Sequence, residues 1–299
     1  MMLDGSITPQ VSPQGILCEM LPVQQVRLPR IGLFDSGVGG LSVLSRLQAA
    51  MPWLDYIYCG DTARLPYGKR SPATIIEYSL QASRFLVQSG ADCIVIACNT
   101  ASSVALGAVQ QAFPDIVVRG VVDAGARAAA QASRSGRVGL IGTECTVASR
   151  AYEKAIAQIL PAAEVRSRAC PFLVSLAEEG WTQDHIAAMA VRKYIEPLLA
   201  DFAPYNPDCI ICGCTHFSRF STVIRDIVSP DVVLVDPADS LAEELAANFS
   251  LQFGEEEHNN GSTTFYVTDA LQRFARVGEQ FLGASIPFNS VQQIELDNQ

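Results

Sequence analysis

Two nine-residue stretches decide the fold: DCIVIACNT (Asp92–Thr100) and DCIICGCTH (Asp208–His216). They align without a gap, and each is an apolar run that ends in a cysteine followed by polar residues. Short apolar runs rich in β-branched residues are typical of strands that are buried in a parallel sheet. The repetition predicts a chain built from two similar α/β halves.

Two further matches occur in the same order along the chain. IGLFDS (Ile31–Ser36) resembles VGLIGT (Val138–Thr143), and VVD (Val121–Asp123) resembles LVD (Leu234–Asp236). One apolar strand can match another by chance, but three matches in order indicate duplication. In open parallel sheets, ligands bind at the carboxyl ends of the strands. We therefore predict two pseudo-symmetric, doubly wound parallel-sheet domains with the active site in the cleft between them.

Apolar runs and helical patterns alternate along the chain, as in other parallel-sheet α/β proteins. The runs predict strands over Ile31–Phe34, Tyr56–Cys59, Cys93–Ala97, Ile116–Val122, Val138–Ile141, Cys209–Gly213 and Val232–Val235. The helical patterns, several with a serine or threonine at the start as an N-cap requires, cover Leu41–Ala50, Pro72–Ser89, Ser102–Ala112, Ser149–Ile159, Thr182–Asp201 and Ser240–Ser250.

Composition narrows the class of protein. The chain has 299 residues, of which 49% are hydrophobic, and this suffices for two ordinary α/β domains. Its net charge of −10 argues against nucleic-acid binding, which usually needs a basic face. No apolar run reaches the roughly 20 residues of a membrane helix, and Met1–Arg30 does not resemble a secretory signal. Nine cysteines, an odd number, predict reduced thiols. We expect a cytoplasmic protein that binds neither membrane nor nucleic acid.

Cys98 and Cys214 occupy matched positions at the ends of the duplicated strands. Across a cleft, they would face one ligand from opposite sides. To invert a carbon stereocentre, an enzyme removes a proton from one face and returns one to the other, and thiols with a pKa near roughly 8.5 can serve as base or acid. Cys98 alone is equally well explained as a small buried apolar residue. The match with Cys214 favours racemisation.

Other interpretations apply to single motifs. Cys209, Cys212 and Cys214 resemble a metal-binding spacing, but alternation along a strand turns Cys209 away from the other two, and no second ligand cluster is present. We therefore expect no metal. Asp35–Ser36, followed by glycines, is also typical of a turn and helix cap, and Tyr67–Gly68 of a turn. The glycine spacing is not that of a dinucleotide-binding loop.

Several motifs resemble those of glutamate racemases: ACNTAS (Ala97–Ser102), GCTHF (Gly213–Phe217), FDSGVGGLS (Phe34–Ser42), GDTARLPYG (Gly60–Gly68), FYVTD (Phe265–Asp269) and Arg273–Phe274. The similarity runs from about Ile31 to Gly283. It implies conversion of L-glutamate to D-glutamate for peptidoglycan synthesis, without a cofactor.

The resemblance also implies roles for individual residues. Cys98 and Cys214 would be the catalytic acid and base, assisted by Asp35 and His216 respectively. Glu178 would be a further acidic group next to the second cysteine, although a second glutamate follows it and a solvated helix end is an alternative. Substrate contacts would come from Asp35, Ser36, Tyr67, Gly68, Asn99, Thr100, Thr143, Thr215 and His216.

By the same resemblance, one domain comprises residues 31–123 and 237–299, and the second comprises 124–236. Residues 1–30 form an N-terminal extension, which in some family members is connected with activation by a peptidoglycan precursor; a tail without a function is the alternative. The expected partners are glutamate, such an activator and a second copy of the chain in a homodimer. The chain departs from the family pattern at Ser175, Ser218 and Pro237–Ala238, which affects loop geometry more than chemistry.

Three other functions stay open. The same scaffold could racemise another amino acid, such as aspartate. A non-catalytic relative could bind an amino acid in the cleft, although the two intact cysteines argue against this. A redox protein that binds a metal cluster is the third alternative.

Overall fold

The computed structural model describes residues 28–253 and 260–297 of the chain. The predicted N-terminal extension, residues 1–30, lies outside the described residues except for its last three, and Arg30 already begins the first strand. None of the helices within these ranges is both long enough and apolar enough to cross a membrane.

The described residues form two sheets in which all neighbouring strands are parallel. The strands are β1 (Arg30–Asp35), β2 (Asp55–Gly60), β3 (Cys93–Ile96), β4 (Val117–Gly120), β5 (Arg137–Gly142), β6 (Glu164–Ala169), β7 (Cys209–Gly213), β8 (Val233–Val235), β9 (Thr263–Val267) and β10 (Val291–Gln293). The six-stranded sheet has the order β10-β9-β2-β1-β3-β4, and the four-stranded sheet has the order β6-β5-β7-β8. The predicted α/β class with two parallel sheets is confirmed.

Parallel strands need crossover connections, and helices supply most of them. These helices are α1 (Leu41–Ala50), α2 (Pro72–Gln88), α3 (Asn99–Ala112), α4 (Val121–Ala132), α5 (Glu144–Ser149), α6 (Ala151–Ile159), α7 (Pro171–Glu178), α8 (His185–Ala200), α9 (Ser221–Arg225), α10 (Pro237–Phe253) and α11 (Leu271–Leu282). Single turns of 3-10 helix lie at Tyr67–Lys69, Phe217–Phe220 and Phe288–Ser290.

The two sheets repeat one pairing scheme. In the six-stranded sheet, β1 lies between β2 and β3, with Ile31 opposite Cys93. In the four-stranded sheet, β5 lies between β6 and β7, with Val138 opposite Cys209. The first two matches found in the sequence therefore occupy equivalent register positions in the two sheets.

The predicted strand Ile116–Val122 is wrong at its carboxyl end. β4 ends at Gly120, and the two buried valines that follow begin α4 instead. Burial in a helix explains these apolar residues as well as burial in a strand, so strand propensity is overridden by tertiary packing. The third sequence match is also wrong, because strand pairing puts Val121–Asp123 out of register with Leu234–Asp236.

Other elements also differ from the prediction, and β10 is among the strands that were not predicted. The predicted helix Ser149–Ile159 is divided, because Arg150 between α5 and α6 has a φ of 53°, a left-handed conformation that interrupts a helix. β6 was not predicted, since Glu164–Ala169 alternates charged residues with small ones at an edge of the sheet and is only half-buried.

The central strands carry the motifs. Every residue of β3 and of β7 is buried, as expected for parallel strands that are covered on both faces. Cys98 and Cys214 follow these two strands and are themselves buried. The fold therefore fixes the backbone on which each cysteine is held.

Candidate active site

A cavity of about 280 Å³ is lined by residues that follow strands of both sheets. Of the predicted site residues, Asp35 is not part of its lining. All the others line it: Ser36, Tyr67, Gly68, Cys98, Asn99, Thr100, Thr143, Glu178, Cys214, Thr215 and His216. Ser36 and Cys98 follow β1 and β3, whereas Thr143 and Cys214 follow β5 and β7, as ligand sites in parallel sheets do.

Cys98 is the N-cap of α3, where its sulfur accepts a hydrogen bond from the Ala101 N–H at 3.5 Å. Its thiol lies 3.7 Å from the Ser36 hydroxyl oxygen, to which it donates. Burial raises the pKa of the Cys98 thiol to about 12, and the negative charge of Asp35 acts in the same direction. The Ala101 N–H and Ser36 oppose this shift without overcoming it, so Cys98 is a thiol at neutral pH.

Asp35 ends β1 and is 1% exposed. Its Oδ2 accepts a hydrogen bond from the Gly37 N–H at 2.9 Å, whereas Oδ1 has no partner among the described residues. Burial raises the pKa of this carboxyl, although the charge of His216 and the Gly37 N–H oppose the increase. Asp35 therefore lies buried near Cys98 without forming part of the cavity wall.

The glycines after Asp35 permit close packing. A Cβ on Gly39 would lie 2.2 Å from the Thr215 hydroxyl oxygen, and a Cβ on Gly40 would lie 2.5 Å from the Asp35 Cβ. Distances this short exclude a side chain. Of the alternative interpretation, the turn is present, but the helix cap is wrong, because Gly40 is the N-cap of α1 and no side chain caps this helix. The turn also brings the start of α1 against the segment that follows Cys214.

Cys214 lies beside a chain of charged groups. Its sulfur is 3.7 Å from His216 Nδ1, and His216 Nε2 is 3.3 Å from Glu178 Oε1. Arg273 donates to the other Glu178 oxygen at 2.8 Å. Because Glu178 contacts His216, the alternative of a solvated helix end is wrong for this residue; it suits Glu179, whose side chain is 63% exposed.

The protonation of His216 and of Glu178 depends on the groups that they contact. Burial lowers the pKa of His216, but its hydrogen bonds to Cys214 and Glu178 outweigh burial and raise the pKa to about 10. Burial would raise the pKa of Glu178, but hydrogen bonds from His216 and Arg273 lower it below its usual range. At neutral pH, an imidazolium therefore stands next to Cys214.

Hydroxyl groups line the cavity between the two cysteines. Thr100 and Thr143, which follow strands of different sheets, have their hydroxyl oxygens 2.9 Å apart. Thr143 also caps α5 by accepting from the Thr146 N–H at 3.2 Å. Hydroxyl and amide groups of this kind can donate to carboxylate oxygens.

Tyr67 and Gly68 form a 3-10 turn, as their alternative interpretation predicted, and they also line the cavity. The Tyr67 hydroxyl donates to the buried carboxylate of Asp61. Asp61 also accepts from Arg64 Nε at 2.7 Å. Tyr67 is 1% exposed, so it fixes the turn that presents Gly68 and does not offer its hydroxyl to a ligand.

The sequence and the overall structure of the chain are similar to those of a known family. The family model described as Asp/Glu/Hydantoin racemase matches residues 38–245. A glutamate racemase from Geobacter metallireducens is 45% identical over 270 residues, covering 89% of this chain and 97% of that one. A crystal structure of glutamate racemase from Francisella tularensis in complex with D-glutamate superposes with a TM-score of 0.82 at 35% identity, covering 91% of this chain and 99% of that one.

The chain belongs to the Asp/Glu/hydantoin racemase family.

A crystal structure of Escherichia coli glutamate racemase in complex with L-glutamate and the activator UDP-MurNAc-ala is more distant. It superposes with a TM-score of 0.72 at 26% identity and covers 91% of this chain and all of that one. These relatives confirm the resemblance read from the sequence motifs.

In this racemase, the sequence did not identify every residue of the cavity wall. Leu65, Pro66, Lys69, Glu144, Pro171, Val174 and Ser175 also line it. Lys69 and Glu144 adjoin predicted site residues in the sequence, so proximity along the chain could have indicated them. Ser175, one of the departures from the family pattern, therefore changes the wall itself.

One residue makes a contact that only the folded chain reveals. Arg273 was part of a recognised motif but had no assigned role, and it contacts Glu178 across a long sequence separation.

Cys209 donates to the Ala129 carbonyl in a different part of the core from Cys212 and Cys214. The predicted outward turn of Cys209 from the other two is confirmed.

Proposed function

We propose that this chain interconverts L- and D-glutamate by proton transfer between Cys98 and Cys214, without a cofactor. One observation carries the proposal: thiols that follow equivalent strands of two different sheets line the same cavity. The Francisella tularensis relative, whose crystal structure contains D-glutamate, supports glutamate as the substrate.

The chemistry requires one thiolate and one thiol. The thiolate removes the proton from Cα, and the opposite thiol delivers its own proton to the other face, so the two sulfurs exchange protonation states in each turnover. Cys98 is the thiol at rest, because burial and Asp35 favour its protonated form. Cys214 is the other proton carrier, and it lies beside the His216 imidazolium.

The carbanion formed at Cα has no cofactor into which to delocalise. Stabilisation must come from fixed donors and charges in a site that excludes water. Asn99, Thr100, Thr143 and Thr215 supply neutral donors, and the substrate carboxylates would accept from them. Lys69 adds a positive charge to the wall.

The wider arrangement is part of the same proposal. One domain comprises residues 31–123 with 237–299, the second comprises 124–236, and substrate binds in the cleft between them. The protein works in the cytoplasm, supplies D-glutamate for peptidoglycan and cell shape, and forms a homodimer. The Escherichia coli relative binds UDP-MurNAc-ala, which supports a peptidoglycan precursor as an activator, with residues 1–30 as the segment to test.

The test is racemisation and exchange of the Cα hydrogen in heavy water, with L- and D-glutamate and with both enantiomers of aspartate. We expect circular dichroism to show glutamate becoming racemic and mass spectrometry to show deuterium entering at Cα. Faster turnover of aspartate would replace glutamate as the substrate. Binding without exchange would favour a non-catalytic binder, and tightly bound iron or zinc in the purified protein would favour the redox alternative.

A further inference from the structure

Tyr152 in α6 links the two cysteine segments, although no role for it follows from the catalytic proposal. Its side chain is 0% exposed. Its ring lies between α4 and the end of β7: a Cβ on Gly125 would be 3.2 Å from one ring edge, and a Cβ on Gly213 would be 3.3 Å from the other. Two glycines thus allow the backbone to close on the ring, and the ring has one position. Gly213 immediately precedes Cys214.

The hydroxyl of the same residue reaches the other cysteine segment. Tyr152 donates to Asn99 Oδ1 at 2.6 Å. Asn99 follows Cys98, begins α3, and lines the cavity while being only 3% exposed. Within the described part of the chain, the Asn99 amide nitrogen makes no hydrogen bond to protein, so its two hydrogens are available at the cavity.

This bond decides which way the amide faces. A carboxylate only accepts hydrogen bonds, so it needs the NH₂ end of Asn99 and is repelled by the oxygen. If the amide turned over, the Tyr152 oxygen could accept from NH₂, but the buried hydroxyl proton would then lack an acceptor. A buried donor without a partner is unfavourable. Tyr152 therefore stabilises the orientation that suits an anionic ligand.

We propose that Tyr152 is a positioning residue that holds the Asn99 amide with its NH₂ group towards a carboxylate of the substrate. The proposal rests on the proposed function, since it takes glutamate as the ligand. Tyr152 acts only through Asn99 and does not itself line the cavity.

Tyr152→Phe removes the hydroxyl and keeps the ring. We expect KM for both enantiomers of glutamate to rise about tenfold, the loss of one hydrogen bond to a charged group, with kcat within about twofold. Tyr56→Phe is the matched control, because Tyr56 is 2% exposed and its hydroxyl donates to the backbone oxygens of Leu47 and Met51, away from the cavity. Both variants should lose similar thermal stability, but only Tyr152→Phe should change KM.

A double-mutant cycle with Asn99→Ala tests whether the effect passes through Asn99. In that background, Tyr152→Phe should leave KM unchanged, and a further tenfold rise would overturn the proposal. An unchanged KM in the single Tyr152→Phe variant would overturn it as well. These outcomes are distinct from failure of the proposed function, in which the wild-type chain would neither racemise glutamate nor exchange its Cα hydrogen.

Discussion

Cys98 and Cys214 follow equivalent strands of two sheets, yet their surroundings differ in charge. Near Cys98 stands Asp35, a buried carboxyl with one oxygen that has no partner in the part of the chain that the structure describes. Beside Cys214 stands His216, an imidazolium that is held by Glu178. The backbone is duplicated, but the ionisable groups beside the two thiols are not.

The aligned sequences show where the difference arises. In the repeat, Asp35 corresponds to Gly142, and His216 corresponds to Thr100. Each half therefore lacks the charged group that the other half uses. The two thiols therefore lie in different electrostatic surroundings, with an acid near Cys98 and a cation beside Cys214.

The largest expected effect comes from removing either thiol. We predict that Cys98→Ala and Cys214→Ala each lower kcat/KM for glutamate by at least about 10³-fold, because each removes a proton carrier from one face of Cα. Cys93→Ala is the matched control, since Cys93 is buried in the strand that leads to Cys98 but does not line the cavity. Full activity in either variant of the pair would disprove the two-base mechanism, as measured by circular dichroism.

Replacing His216, the cation beside Cys214, should have the next largest effect. We predict that His216→Gln lowers kcat/KM about 10²-fold, because it removes the imidazolium that lies 3.7 Å from the sulfur of Cys214, a proposed proton carrier. The exposed His185 provides the control variant, His185→Gln. Activity equal to that of the wild type would mean that the two cysteines do not differ in the way their surroundings suggest.

The same variant should also change how stability depends on pH. Folding raises the pKa of His216 from 6.5 to about 10, so the protonated form is the one that folding stabilises. This contribution is complete below about pH 6.5 and is lost as pH rises through about 10. The difference in melting temperature between wild type and His216→Gln should therefore shrink over that window, and a constant difference would contradict the assigned charge.

Asp35, the acid near Cys98, can be replaced by asparagine, which has the same shape but no charge. We predict that Asp35→Asn lowers the pKa of Cys98, because the negative charge that adds to the effect of burial is lost. The measurement is the rate of alkylation of Cys98 by iodoacetamide against pH, in a Cys214→Ser background, with mass spectrometry to locate the label. An unchanged or higher apparent pKa would show that Asp35 does not act on this thiol by charge.

How far the sequence predicts the molecule depends on the range of the interaction. β3, which leads to Cys98, and β7, which leads to Cys214, were predicted because a run of apolar residues is a local signal. β6 was missed because its alternating Glu164–Ala169 segment resembles a surface segment. Val121 was placed in a strand because its burial in α4 depends on helices elsewhere in the chain.

The site shows the same limit. The repeat and the family motifs identified the predicted site residues, and all of these except Asp35 line one cavity. The contact between Tyr152 and Asn99 and that between Arg273 and Glu178 join distant parts of the chain. No local pattern indicates either contact, because the two partners of each pair are 53 and 95 residues apart along the chain.

The smallest expected effect comes from replacing Arg273, the outermost of the charged residues beside Cys214. Arg273 donates to Glu178, but its side chain is 46% exposed, so solvent screens the pair. We predict that Arg273→Gln lowers kcat/KM about two- to fivefold, the range of an exposed ion pair. Arg276→Gln, an exposed residue of the same helix, is the control.

The decisive measurement for Arg273 is made in a Glu178→Gln background. If Arg273 acts by holding Glu178 against His216, its replacement should have no further effect once the carboxylate is gone, because the guanidinium then has no charge to anchor. An equal loss in both backgrounds would mean that Arg273 influences the site by another route.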